Sequence, residues 1–87
     1  SLPDNLEVGG DLSLYDTPIT SLPDNLKVGR HLDLSGTKIT SLPNNLRVEG
    51  NLVLFNTPLA QRYKSTSPIR RMIEEKGGYV GEVMLTY

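Results

Sequence analysis

Residues 1–20 read SLPDNLEVGGDLSLYDTPIT, residues 21–40 read SLPDNLKVGRHLDLSGTKIT, and residues 41–60 read SLPNNLRVEGNLVLFNTPLA. Aligned without a gap, they share the frame S-L-P-x-N-L-x-V-x-x-x-L-x-L-x-x-T-x-(I/L). Such a short, fixed period marks an architecture in which one small unit is stacked on itself, because a single unit cannot bury its own apolar side. Each repeat holds one alternating run: Asp11-Leu12-Ser13-Leu14-Tyr15, His31-Leu32-Asp33-Leu34-Ser35 and Asn51-Leu52-Val53-Leu54-Phe55. Alternation at period two puts the leucines on one face of a strand and their neighbours on the other. Turn-like residues follow, then the Pro of SLP, which has no N–H to give a ladder and holds the chain in an extended bend. Each repeat is therefore expected to contain one strand, a turn and an extended return segment, with successive strands parallel and about 4.8 Å apart. The inward positions of the first repeat are Leu2, Leu6, Val8, Leu12, Leu14 and Ile19. Thr17, Thr37 and Thr57 recur at the turn after the strand, where hydroxyls can satisfy backbone groups exposed by the bend.

The run Leu32-x-Leu34-x-x-Thr37-x-Ile39 followed by Leu42-Pro43 resembles the leucine-rich-repeat frame L-x-L-x-x-N-x-L-x-x-L-P. It is similar to the short, 20-residue class of bacterial effector and phage-encoded proteins, and the resemblance covers residues 1–60. Two features depart from that class: Thr stands where the family places its ladder Asn, and Gly9 or Gly29 where Leu is common. These departures leave a right-handed parallel β-helix with short coils as the alternative. The resemblance implies a leucine-rich repeat solenoid of the α/β class, with a short parallel sheet and a convex side of extended and turn segments. About four strands are expected, one from each repeat and one from the tail.

After Leu59 the frame breaks, and residues 61–87 are expected to form a C-terminal cap. Residues 60–66 read as a polar connection. A helix is predicted over about residues 68–76, with Ser67 as N-cap, Pro68 in the first helical position and Gly77 just past the end. Ile69, Met72 and Ile73 share one face of it and read as core. The final stretch echoes the first strand and predicts a further strand over about residues 82–86, with Val83 and Leu85 inward. The first repeat has no such cover, so its apolar side is expected to be open and available for homo-oligomer formation.

With 87 residues the chain makes one domain at most, with a limited core, and its 8 Gly and 6 Pro agree with many turns. A net charge of −1 without a basic stripe points to neither a nucleic-acid nor a membrane partner. Cysteine is absent, which removes disulfides and thiolate metal sites and favours an intracellular setting. The sequence shows no signal peptide. The missing initiator Met and the start at a repeat boundary suggest a piece of a longer protein.

In leucine-rich repeats the outward strand residues form the partner-binding face. Carried onto this sequence, the resemblance points to Asp11, Ser13, Tyr15, His31, Asp33, Ser35, Asn51, Val53, Phe55 and Met84, flanked by Glu82 and Thr86. The aromatic and apolar members suit a protein interface. Ser13, His31 and the aspartates Asp11 and Asp33 invite a hydrolase reading, but an open sheet supplies no oxyanion donors, so no enzyme is expected. A metal set of Asp11, His31, Asp33 and Asn51 lacks the supporting shell such a site needs, and no cofactor is expected. Arg62, Lys64, Arg70 and Arg71 form at most a small phosphate patch beside Glu74 and Glu75, and neither glycine pair fits a phosphate loop. The expected function is a protein-interaction scaffold of unknown partner. The alternative is a structural spacer or assembly module that associates through its ends.

Overall fold

The computed structural model describes residues 3–85. Each of the first two repeats folds as two very short strands separated by a bend, rather than as one strand. In the first repeat these are β1 (Glu7–Val8) and β2 (Leu12–Ser13), and in the second β3 (Lys27–Val28) and β4 (Leu32–Asp33). In the third repeat the bend straightens and one strand, β5 (Arg47–Val53), runs through both positions. The Leu6-x-Val8 alternation is too brief to read as a strand from sequence; it becomes one because the equivalent Leu26-x-Val28 segment lies beside it. Equivalent residues pair in parallel at a spacing of 20, Val8 with Val28 and Val28 with Val48, then Leu12 with Leu32 and Leu32 with Leu52.

Two corners in each repeat turn through left-handed backbone. Asn5, Asn25 and Asn45 have φ of 60°, 65° and 57°, while Asp16, Gly36 and Asn56 have 62°, 75° and 56°. Only Gly, Asn and Asp enter this region at small cost, which explains why those residue types recur there. The threonine column acts as expected: the hydroxyls of Thr17, Thr37 and Thr57 donate to the carbonyls of Leu14, Leu34 and Leu54 at 2.8, 2.7 and 3.0 Å.

The tail differs from its expected form at three points. Residues 60–63, read as part of a polar connection, instead belong to α1 (Pro58–Tyr63), whose N-cap Thr57 accepts from the Ala60 N–H. The next helix, α2 (Thr66–Glu75), begins earlier than predicted, with Ser65 rather than Ser67 at the N-cap. Pro68 sits in the third helical position, still within the first turn, where a missing N–H breaks no helical bond. The last strand, β6 (Tyr79–Met84), also begins earlier than expected, because the turn at Gly77, with φ 81°, delivers Tyr79 directly onto β5. There its N–H donates to the Leu46 carbonyl at 2.8 Å. Thr86, the end of the predicted strand, lies outside the described residues, as does Leu2.

Among the described residues the result is an α/β fold with two helices and one six-stranded parallel sheet, in place of the about four strands anticipated. β5 lies between the second repeat and β6, pairing with β3 and β4 along one edge and with β6 along the other. Leu26, Leu32, Leu34, Leu46, Leu52 and Leu54 are fully buried beneath it, closed over by Ile69 and Ile73 of α2. Met72 and Leu85 are half-buried against this core, and Val83 is buried. Burial falls toward the first repeat: Leu6, Val8, Leu12, Leu14 and Ile19 are only half-buried, whereas their equivalents further on are buried.

Candidate binding face

Strand pairing lays the predicted site residues out in columns. Ser13, Asp33, Val53 and Met84 stand in register, as do Asn51 and Glu82. The Asp16 and Gly36 amides donate to the carbonyls of Ser35 and Phe55 at 2.8 and 2.9 Å, which continues the stack to Tyr15, Ser35 and Phe55. Tyr15 is 62% exposed and Met84 41%. Asp11, Ser13 and Glu82 are exposed, and His31, Asp33, Asn51, Val53 and Phe55 half-buried. Ser35 is the exception. At 5% exposure, flanked in its column by Tyr15 and Phe55, it does not present its side chain to solvent and drops out of the accessible face.

The polar members of this face hold the stack together. The His31 ring accepts the Asn51 backbone N–H on Nδ1 at 2.9 Å, and the His31 backbone N–H donates to Asp11 Oδ1 at 3.1 Å. Asp33 Oδ1 accepts the Ser35 N–H at 2.9 Å. Of the side chains that suggested a hydrolase, His31, Asp11 and Asp33 thus each accept a backbone N–H. Among the described residues no group of three or more His, Asp or Glu converges to hold a metal ion, and no helix is long and apolar enough to cross a membrane.

Two of the four basic side chains read as a patch, Arg62 and Arg70, make separate contacts. Arg62 lies over the Tyr63 ring, 5.6 Å from its centroid. Arg70 turns toward β6 and donates to the carbonyls of Val80 and Gly81 at 2.9 and 3.0 Å. On the other strand column Glu7, Lys27, Arg47 and Tyr79 stand in register, with Arg47 stacked 5.3 Å from the Tyr79 centroid.

Sequence reasoning overlooked a second polar column. Asn25 donates to Asn5 and Asn45 to Asn25, each through Nδ2 to Oδ1 at 2.8 Å, forming a side-chain ladder along one corner. The signal was present, since Asn is invariant at the fifth position of all three repeats. No family model matches the chain, and no curated protein or solved structure matches it either.

Proposed function

We propose that this chain is a small leucine-rich-repeat scaffold whose outward strand face binds a protein partner. The observation that carries this reading is the exposure of Tyr15 and Met84 on a face whose backbone is held by parallel pairing. A large apolar side chain in water is a common place for binding energy to reside, and a rigid sheet presents it at little entropic cost. Val53 and Phe55 extend the apolar area, and Asp11, Ser13 and Glu82 supply a polar rim. The role is recognition rather than turnover.

The test is to recover a partner with the wild-type chain and repeat the capture with Tyr15→Ala and Met84→Ala. Both side chains are exposed, so stability should change by no more than about 0.5 kcal/mol and the circular dichroism spectrum should be unaltered. Capture should be lost; capture at wild-type strength by the double variant overturns the reading. A second reading, a spacer that associates through its ends, is supported by the half-buried Leu12 and Leu14 of the first repeat.

A further inference from the structure

At one place on the strand face the second repeat is lower than its neighbours. Where the first repeat has Tyr15-Asp16 and the third has Phe55-Asn56, the second has Ser35-Gly36. The three pairs stand side by side, because the Asp16 N–H donates to Ser35 O at 2.8 Å and the Gly36 N–H to Phe55 O at 2.9 Å. Two small residues in the interior of the stack therefore lie between two aromatic ones. Strands two apart in a sheet are separated by about 9.6 Å. A flat group in contact with both walls needs about 7 Å, so rings that lean slightly inward can hold one. The notch is narrow, since Ser35 keeps 5% of its surface while Tyr15 is 62% exposed and Phe55 half-buried.

Two carboxylates bound the notch along the strand direction. Asp33 stands two residues before Ser35, half-buried and in register with Ser13 and Val53, and its Oδ1 accepts the Ser35 N–H at 2.9 Å. Asp16, with φ of 62°, leans over Gly36: a Cβ built on Gly36 would lie 2.5 Å from Asp16 Oδ1. The space that a side chain would fill is thus held by a carboxylate oxygen. Asp11, Glu49 and Glu82 pair with Arg30, Arg47 and Arg70, whereas neither Asp16 nor Asp33 has an ion-pair partner among the described residues. Two uncompensated carboxylates and two aromatic rings around one point suit an organic cation. A guanidinium fits best, because it is flat, stacks on ring faces and offers N–H groups in a fork to carboxylates.

We propose that the Ser35–Gly36 notch receives an arginine side chain of the protein partner, its guanidinium held between Tyr15 and Phe55 and paired with Asp16 and Asp33. The proposal rests on the strand-face reading and names what the partner presents there. Val53, in register with Asp33, and Met84 beyond it take apolar residues next to that arginine. Charge complementarity then sets the register of the partner, and the apolar contacts supply much of the affinity.

The test is a titration of the chain with Nα-acetyl-arginine amide, followed by the NMR shifts of the Ser35 and Gly36 amides. These should move and saturate in the millimolar range, as expected for a ligand of this size, and added salt should weaken the binding. The lysine amide should bind about ten-fold more weakly, and the uncharged citrulline amide should leave both signals in place. Asp16→Asn with Asp33→Asn removes both charges, yet keeps a residue suited to left-handed backbone and an acceptor for the Ser35 N–H. This double variant should weaken arginine binding about ten-fold with an unchanged circular dichroism spectrum. If it does not fold, Asp16→Asn alone should show the same direction. Arginine and citrulline amides acting alike, shifts confined to other residues, or unaltered binding by the folded double variant overturns the proposal. Partner capture that is lost with Met84→Ala but unaffected by the double variant also sinks the arginine, and leaves the strand-face reading standing. Arginine binding in the notch without capture of any protein does the reverse.

Discussion

At the scale of single residues, the stack is held by polar side chains that repeat every 20 positions. Asn25 has two duties: it occupies left-handed backbone and links Asn5 to Asn45. These duties can be separated. Asn25→Gly keeps the backbone conformation and loses the ladder, and should cost about 1 kcal/mol in chemical denaturation. Asn25→Ala loses both and should cost about 2 kcal/mol. Equal losses in the two variants would show that the corner tolerates Ala and that the ladder alone matters. Thr57, fully buried, both donates to Leu54 O and accepts from Ala60 N–H. Thr57→Val leaves both backbone groups without their partner and should cost about 2 kcal/mol, read from the thermal midpoint. His31 belongs with this group, since its ring nitrogen anchors the Asn51 amide.

At the scale of elements, α2 closes the end of the core. Ile69 and Ile73 are fully buried and lie one turn apart, so the helix contributes a narrow apolar stripe and little else to the interior. Ile73→Ala should destabilise the chain by about 2–5 kcal/mol, the range for emptying a packed core position. A loss below about 1 kcal/mol would mean that the core closes without the helix. The C-terminal turn of α2 also supplies what a further repeat would supply: Lys76 O accepts the Asn45 N–H at 2.9 Å, as Asn44 O accepts that of Asn25. The helix thus continues the backbone pattern of the repeats while replacing their extended return.

At the scale of the whole molecule, order should rise from the first repeat to the third. Leu6, Leu12 and Leu14 are half-buried, while Leu46, Leu52 and Leu54 are at 0% exposure. Each repeat is supported by its neighbours, so the less buried first repeat opens at lower free energy. Native-state hydrogen exchange should show the amides of Leu12, Leu14 and Asp16 exchanging faster than those of Arg47 and Leu54, although each bonds to an adjacent strand. Uniform protection across the repeats would mean that the stack opens only as one unit.

What the sequence determined by itself was whatever recurs: the inward leucines, the parallel register of 20, the threonine hydroxyls at the turn and, had it been weighed, the asparagine ladder. A repeated signal is legible because each local preference is supported by the same preference in the neighbour it pairs with. What only the tertiary structure decided lies where the period ends or is too short to read. The second strand column becomes visible once equivalent segments lie side by side, and α1 forms where the chain leaving the last repeat carries Leu59 and Ala60 into the core. Ser35 loses its exposure between Tyr15 and Phe55, and Arg70 finds the β6 carbonyls across the cap. Non-periodic contacts of this kind depend on where a helix is set down in space, a quantity that local pattern does not carry.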